Sequence, residues 1–190
     1  MKKLLSQMTN EELWQLFPIF LTEHQTDWEI WYDEELKFLE KILPADEVER
    51  ISHIGSTAIK DIWAKPIIDI LVEVRNDCGL HVIKDILTDK GYICMSEKTE
   101  RISLNKGYTE SGFAEKVYHL HLRYSGDADE VYFRDYLNDN PQLAKQYEEL
   151  KLDLWKRYEH DRDGYTEKKS DFVRAVTLSA AAYFLNCKRL

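Results

Sequence analysis

The chain has 190 residues, enough to bury one sizeable core, and its 44% hydrophobic and 32% charged composition excludes a disordered chain. A formal net charge of -9 without any cluster of four or more Lys and Arg leaves no electrostatic footprint for general nucleic-acid binding, although a local basic pocket can still hold a small anion. Cys78, Cys94 and Cys187 are odd in number and form no C-x-x-C pair, which suits packing residues in a reducing compartment rather than a disulfide framework.

The N-terminal stretch MKKLLSQMTNEELWQLF turns acidic too early for a secretory signal. No segment approaches the ~20 apolar residues of a bilayer span, so a cytoplasmic protein without a membrane partner is expected. Thr9 and Glu12 have capping-box spacing, and Leu13, Trp14, Leu16 and Phe17 supply the apolar face of a short helix ending near Pro18. Trp28, Trp31, Tyr32, Leu36, Leu39 and the Ile42–Leu43 pair recur at helical spacing in a longer helix closed by Pro44. Val48 to His53 alternates as a strand and runs into Gly55. Pro66 then opens IIDILVEV, whose apolar density and β-branching mark an inner strand.

A helix is predicted over Leu80 to Leu87, with Lys90 in its last turn and Gly91 as its stop. Tyr92 to Met95, Arg101 to Asn105 and Val117 to Tyr124 read as three further strands. The last third is helical: FRDYL, then QLAKQYEELKLDLWKRY after Pro141, then a helix with Phe172, Val173, Val176, Ala180, Tyr183 and Phe184 on one face. With no internal repeat or low-complexity linker, one α+β domain is expected over 1–190. It comprises N-terminal helices at 9–43, a sheet core at 48–126 and helices at 129–187 packed on the sheet.

The chemistry concentrates in HIGSTAIKDIWAKPIIDILVEV, where a strand, a Gly-Ser turn and a carboxylate inside an apolar strand share one unit. Gly55 and Ser56 can bring backbone N–H groups and a hydroxyl close to a phosphate, or can form an ordinary turn. Asp69 lies between Ile67, Ile68, Ile70 and Leu71, where a lone carboxylate is costly, so it must meet a metal, a salt-bridge partner or several donors. Glu73 shares its strand face but lies ~13 Å away, too far for a common metal ion. His119 and His121 in VYHLHLRY project from one face, either as an exposed pair or as metal ligands with Asp69, a donor set suited to a transition metal. Arg123 follows on that face as a bidentate anion donor. Lys65, Arg101, Arg134, Lys151 and Lys168 are phosphate-contact candidates if the fold gathers them.

HIGST, AKPIIDILV, HLHLR, FRDYL, YEELK and YTEK, preceded by DWEIWYDEEL, together resemble the GrpB family, related to nucleotidyltransferases, over most of the chain. The resemblance implies a nucleotidyltransferase-like mixed sheet with flanking helices, in which the Gly55-Ser56 turn faces Asp69. In active relatives two or three carboxylates hold divalent metal ions that organise a nucleoside triphosphate. Three positions depart from that pattern. Leu71 stands where the superfamily usually has a second acid, Ile59, Lys60 and Asp61 replace a Val-Pro-Gly turn, and Asn140 replaces the His of a His-Pro pair.

The expectation is thus a site with Asp69 as catalytic carboxylate and Asp69, His119 and His121 holding a divalent metal, whether Mn, Zn or Mg. Gly55, Ser56, Lys65, Arg123, Arg134 and Lys151 would bind a nucleotide or phosphorylated small molecule. The functions that fit are a binding module of nucleotidyltransferase type, a metal-dependent transferase, and a protein-interaction scaffold, in that order.

Overall fold

Local signals set the first elements of the computed structural model, which describes residues 3–126 and 129–187, with side chains through residue 184. Helix α1 (Asn10–Leu16) starts at a reciprocal cap: Thr9 Oγ1 accepts from the Glu12 N–H at 3.3 Å, and Glu12 Oε2 accepts from the Thr9 N–H at 2.9 Å. It stops two residues before Pro18. Helix α2 (Asp27–Ile42) buries Trp28 and Leu39 completely.

Five strands follow: β1 (Val48–Ile54), β2 (Ile68–Val74), β3 (Ile93–Lys98), β4 (Arg101–Thr109) and β5 (Gly112–Tyr124). They form one mixed sheet in the order β1-β2-β5-β4-β3, parallel between β2 and β5 and antiparallel elsewhere. Helix α3 (Leu80–Asp89) precedes β3; Lys90 is its C-cap rather than part of its last turn, and Gly91 ends it at φ 91°. Strand β2 lies between two neighbours, which explains its nearly continuous apolar run.

Parity divides the sheet's two faces. Ile68, Ile70, Val72 and Val74 of β2, with Leu120 and Leu122 of β5 and Ile102 and Leu104 of β4, pack beneath α2 and α3 as the main core. The odd-numbered residues Asp69, Leu71, His119 and His121 therefore face the other way, as the two-residue period of a strand requires. That second face meets helices α4 (Asp129–Asp139), α5 (Pro141–Tyr158) and α6 (Arg162–Cys187). These helices share their own cluster of Ile59, Ile62, Phe133, Leu137, Tyr147 and Val176, and touch the sheet through Ile54, Leu71 and Val131. They cover only part of the face, and the uncovered part is the floor of a cleft.

Strands β4 and β5 run several residues further towards each other than their sequence patterns indicate. Gly107 and Gly112 read as connection residues, but Gly107, at φ 92°, sits in a bulge where the register with β5 shifts between Lys106 and Tyr108. A β-carbon there would lie 2.3 Å from the Lys116 carbonyl oxygen. The extra residue inverts the parity of the rest of β4. Lys106 faces α2 and binds Glu35 at 2.7 Å, whereas Tyr108 emerges on the opposite face beside His119.

The cysteines divide. Cys78 is buried and donates to Glu47 Oε2 at 2.6 Å, but Cys94 is exposed on the edge strand, so the packing role expected of it is not found. The Cys187 side chain lies outside the described residues. Among the described residues, no helix is long and apolar enough to cross a membrane.

Candidate functional site

The β2–β5 register places Asp69 directly beside His119, with His121 two residues along the same face. Asp69 Oδ1 lies 3.3 Å from His119 Nδ1 and 3.7 Å from His121 Nε2. Tyr108, delivered by the Gly107 bulge, places its hydroxyl 2.8 Å from His119 Nε2. One protonation pattern satisfies the chain: Tyr108 donates to Nε2, and the neutral imidazole carries its proton on Nδ1, facing the Asp69 carboxylate. Burial agrees with this, since it lowers the His119 pKa from its ordinary value and the nearby Asp69 only partly opposes it. For Asp69, burial alone would raise the carboxyl, but the N–H groups of His119 and His121 beside it more than offset it and hold it well below the usual carboxylate range.

The other carboxylate oxygen is fixed by the Gly-Ser turn. Gly55, at φ 73°, leads into a single 3₁₀ turn, Ser56–Ala58, and Asp69 Oδ2 occupies the space a β-carbon on Gly55 would need. Thr57 holds the turn by donating to the Ile67 carbonyl at 3.2 Å while His53 Nε2 lies 3.0 Å from the same hydroxyl. The turn thus faces Asp69, and Ser56 lines the cleft above it.

That cleft encloses about 290 Å³. Its walls bring together Ser56, Lys65, Asp69, His119, His121 and Lys151 from the sequence-derived candidates. It also contains Arg162, Tyr165, Thr166 and Lys169 of α6, which the sequence reading passed over. Their spacing of i, i+3, i+4 and i+7 is one helical stripe, a signal present in the sequence. Lys168 is exposed and lies off that stripe. Burial, reinforced by Lys169 and Arg162, pushes the Lys65 ammonium down to about 7. Burial and Lys169 do the same to Lys151, which donates to the Trp63 carbonyl. Among the described residues, none of Lys65, Arg162 and Lys169 forms an ion pair with a carboxylate; Lys65 and Lys169 instead lie 4.8 and 5.4 Å from the centre of the Tyr165 ring.

The remaining candidates lie elsewhere. The Arg123 guanidinium engages both carboxylate oxygens of Glu130, one of them at 2.7 Å. Arg134 donates to the His53 carbonyl at 2.6 Å and to Asp135 at 2.7 Å. Arg101 is exposed at the start of β4, opposite Arg123. Glu73 is buried against Arg50. Leu71 is fully buried.

A resident metal does not fit these donors well. Asp69, His119 and His121 do meet, but His119 has both ring nitrogens engaged, and among the described residues no three His, Cys, Asp or Glu side chains are placed to hold an ion together. The observed arrangement is a close carboxylate–imidazole cluster, with Tyr108 hydrogen-bonded to His119, at the floor of a cationic cleft.

Residues 18–178 match the family described as GrpB protein, and the chain belongs to that family. It is 37% identical to the glutamate-rich protein GrpB of Alkalihalophilus pseudofirmus, over 83% of this chain and 93% of that protein. Identity to the UPF0157 protein YqkA of Bacillus subtilis is 31%, over 80% of this chain but only 44% of the larger relative. Among solved structures, GrpB from Enterococcus faecalis superposes with a TM-score of 0.76 at 28% identity, covering 87% of this chain and 99% of that one. The Cid1 poly(U) polymerase with Mg 3'-dATP bound shares the fold at a TM-score of 0.51 and 8% identity, covering 84% of this chain and 51% of that one. The sheet and its flanking helices are therefore nucleotidyltransferase-like.

Proposed function

We propose that this GrpB-family chain binds a nucleotide or another phosphorylated small molecule in the Asp69 cleft. The observation that carries this reading is the convergence of Lys65, Arg162 and Lys169, without ion-pair partners among the described residues, on one cleft of a chain whose formal net charge is -9. Like charges crowded together are unfavourable, most of all at the buried Lys65, and an anion offsets the repulsion and pairs the buried charge. Phosphate oxygens would take hydrogen bonds from these cations and from Ser56. Asp69 would stand at the phosphates' edge, oriented by His119 and Gly55. A divalent cation would arrive as part of the substrate, coordinated mostly by phosphate and water, since magnesium sites often use only one or two carboxylates.

Binding without transfer is favoured by Leu71, whose burial leaves Asp69 without the neighbouring acid of a two-metal site. Transfer of a nucleotidyl group to an acceptor is the second reading. It draws on a further cavity of about 450 Å³, also bounded by Asp69 and His121, in which an acceptor would reach the same carboxylate. The test is a thermal-shift panel of nucleotides, sugar phosphates and polyphosphates, followed by product analysis with each binder. Stabilisation without turnover supports the binding module, turnover abolished in Asp69→Asn supports transfer, and no response to any phosphate compound would refute both.

A further inference from the structure

The family match begins at residue 18, so α1 lies outside the shared segment. Its cap is complete, yet none of its residues is buried, and Leu13 and Trp14 remain half-exposed. A seven-residue helix is too short to persist by propensity alone and takes its stability from what it packs on. Its end is pinned by Phe17, whose ring lies 4.7 Å from Tyr108 and 5.0 Å from Phe113. Behind Phe17, α1 roofs a cavity of about 720 Å³ bounded by Trp14 on one side and by α6 on the other. This cavity and the cationic cleft share four residues, Phe17, Tyr108, Arg162 and Thr166. The two are neighbours: the cleft is cationic at Lys65 and Lys169, the cavity under α1 is lined by Trp14 and Phe17 together with the carboxylates Asp163 and Glu167, and Arg162 borders both.

We propose that α1 forms the wall of an aromatic-binding subsite, so that the ligand is a phosphate compound carrying a planar aromatic body. This rests on the phosphate-binding reading above and extends it to the other end of the ligand. A phosphoryl head at Lys65 and Lys169 leaves the rest of the molecule to pass Arg162, whose flat guanidinium can pair with phosphate or lie against a ring. Beyond it, the half-exposed Trp14 offers a face on which a ring can stack, next to Phe17, which is itself packed on Tyr108 and Phe113, so that such a ring removes apolar surface from water. A simple sugar phosphate would leave the cavity under α1 hydrated.

Calorimetric titration of the full chain with tripolyphosphate and with ATP, in wild type, Trp14→Ala and Trp14→Phe, tests the proposal. In wild type ATP should bind about tenfold more tightly than tripolyphosphate, the gain that stacking of one base ordinarily brings. Trp14→Ala should lose most of that preference with tripolyphosphate affinity unchanged, and Trp14→Phe should keep it. Because α1 buries no residue, neither substitution touches the core. A matched pair, 4-nitrophenyl phosphate and glucose 6-phosphate, separates the sources: a preference for the nitrophenyl ester too assigns the subsite to any aryl plane, and a preference confined to ATP assigns it to a nucleobase. Equal affinity for ATP and tripolyphosphate, or a preference that survives in Trp14→Ala, overturns the subsite while leaving the phosphate site standing. Failure of every phosphate compound to bind overturns both.

Discussion

Asp69 Oδ2 lies 2.2 Å from the point where a β-carbon on Gly55 would stand, so the Gly-Ser turn and the strand carboxylate are shaped around each other. Gly55 is required twice, for this approach and for its φ of 73°. Gly55→Ala should cost about 2–4 kcal/mol from backbone strain and overpacking together. Thermal unfolding checks the cost, and phosphate-compound titration should show affinity lost as Asp69 is displaced. A wild-type melting temperature in the variant would refute the packing argument.

Tyr108 and His119 supply the second prediction. Tyr108→Phe removes the hydroxyl 2.8 Å from Nε2 and leaves a largely buried acceptor unpaired, at a cost of about 1–2 kcal/mol. Denaturant unfolding measures the loss. Nitrogen-15 spectra should show a His119 imidazole held in one tautomer in wild type and a mixture in the variant.

His53, stacked on Tyr32 at 4.7 Å, makes acid stability predictable. Burial pushes its pKa down to about 4, with the nearby Asp69 opposing and Arg134 assisting. Between pH 6.5 and 4 the unfolded chain therefore binds the proton more readily than the folded one. The contribution is present above pH 6.5 and is lost as pH falls to 4, on the order of 3 kcal/mol. His53→Gln should flatten the stability profile across that window.

Anion binding should take up protons. Lys65 and Lys151, both lowered to about 7 by burial and by neighbouring cations, are partly deprotonated near neutrality, and a bound phosphate raises them again. Affinity should therefore fall as pH rises from 7 to 9. Titrations in buffers of different ionisation enthalpy should report net uptake at pH 8.

Asp61 is the one non-glycine residue with positive φ among the described residues, at 58°. Asp61→Gly should stabilise the protein by about 1 kcal/mol by relieving left-handed strain, and chemical denaturation would show a higher midpoint.

Much of this architecture is legible in the residue order because its signals are local. The Thr9–Glu12 cap, the apolar density of β2 and the i, i+2 histidines each specify their own element or face. The mixed-sheet expectation comes from the family motifs and agrees with the observed topology. Non-local features are harder to read. Gly107 looks like a connection until its register with β5 is known, so Tyr108 could not be assigned to the face of His119. Arg123 and Arg134 carry the charge expected of phosphate contacts, but Glu130, Asp135 and the His53 carbonyl hold them away from the cleft. Lys168 and Lys169 are indistinguishable by composition, and only the phase of α6 against the sheet puts Lys169 inside.

The most direct test of the central claim is calorimetric titration of the wild-type chain and Lys169→Ala with tripolyphosphate at low and high salt. Saturable binding that weakens with salt, and about tenfold more in the variant, is the predicted result, since a charge-assisted contact to phosphate is worth about 1.5–3 kcal/mol. Absence of saturable binding to wild type, or unchanged affinity in Lys169→Ala, would contradict the assignment of the Asp69 cleft to phosphate.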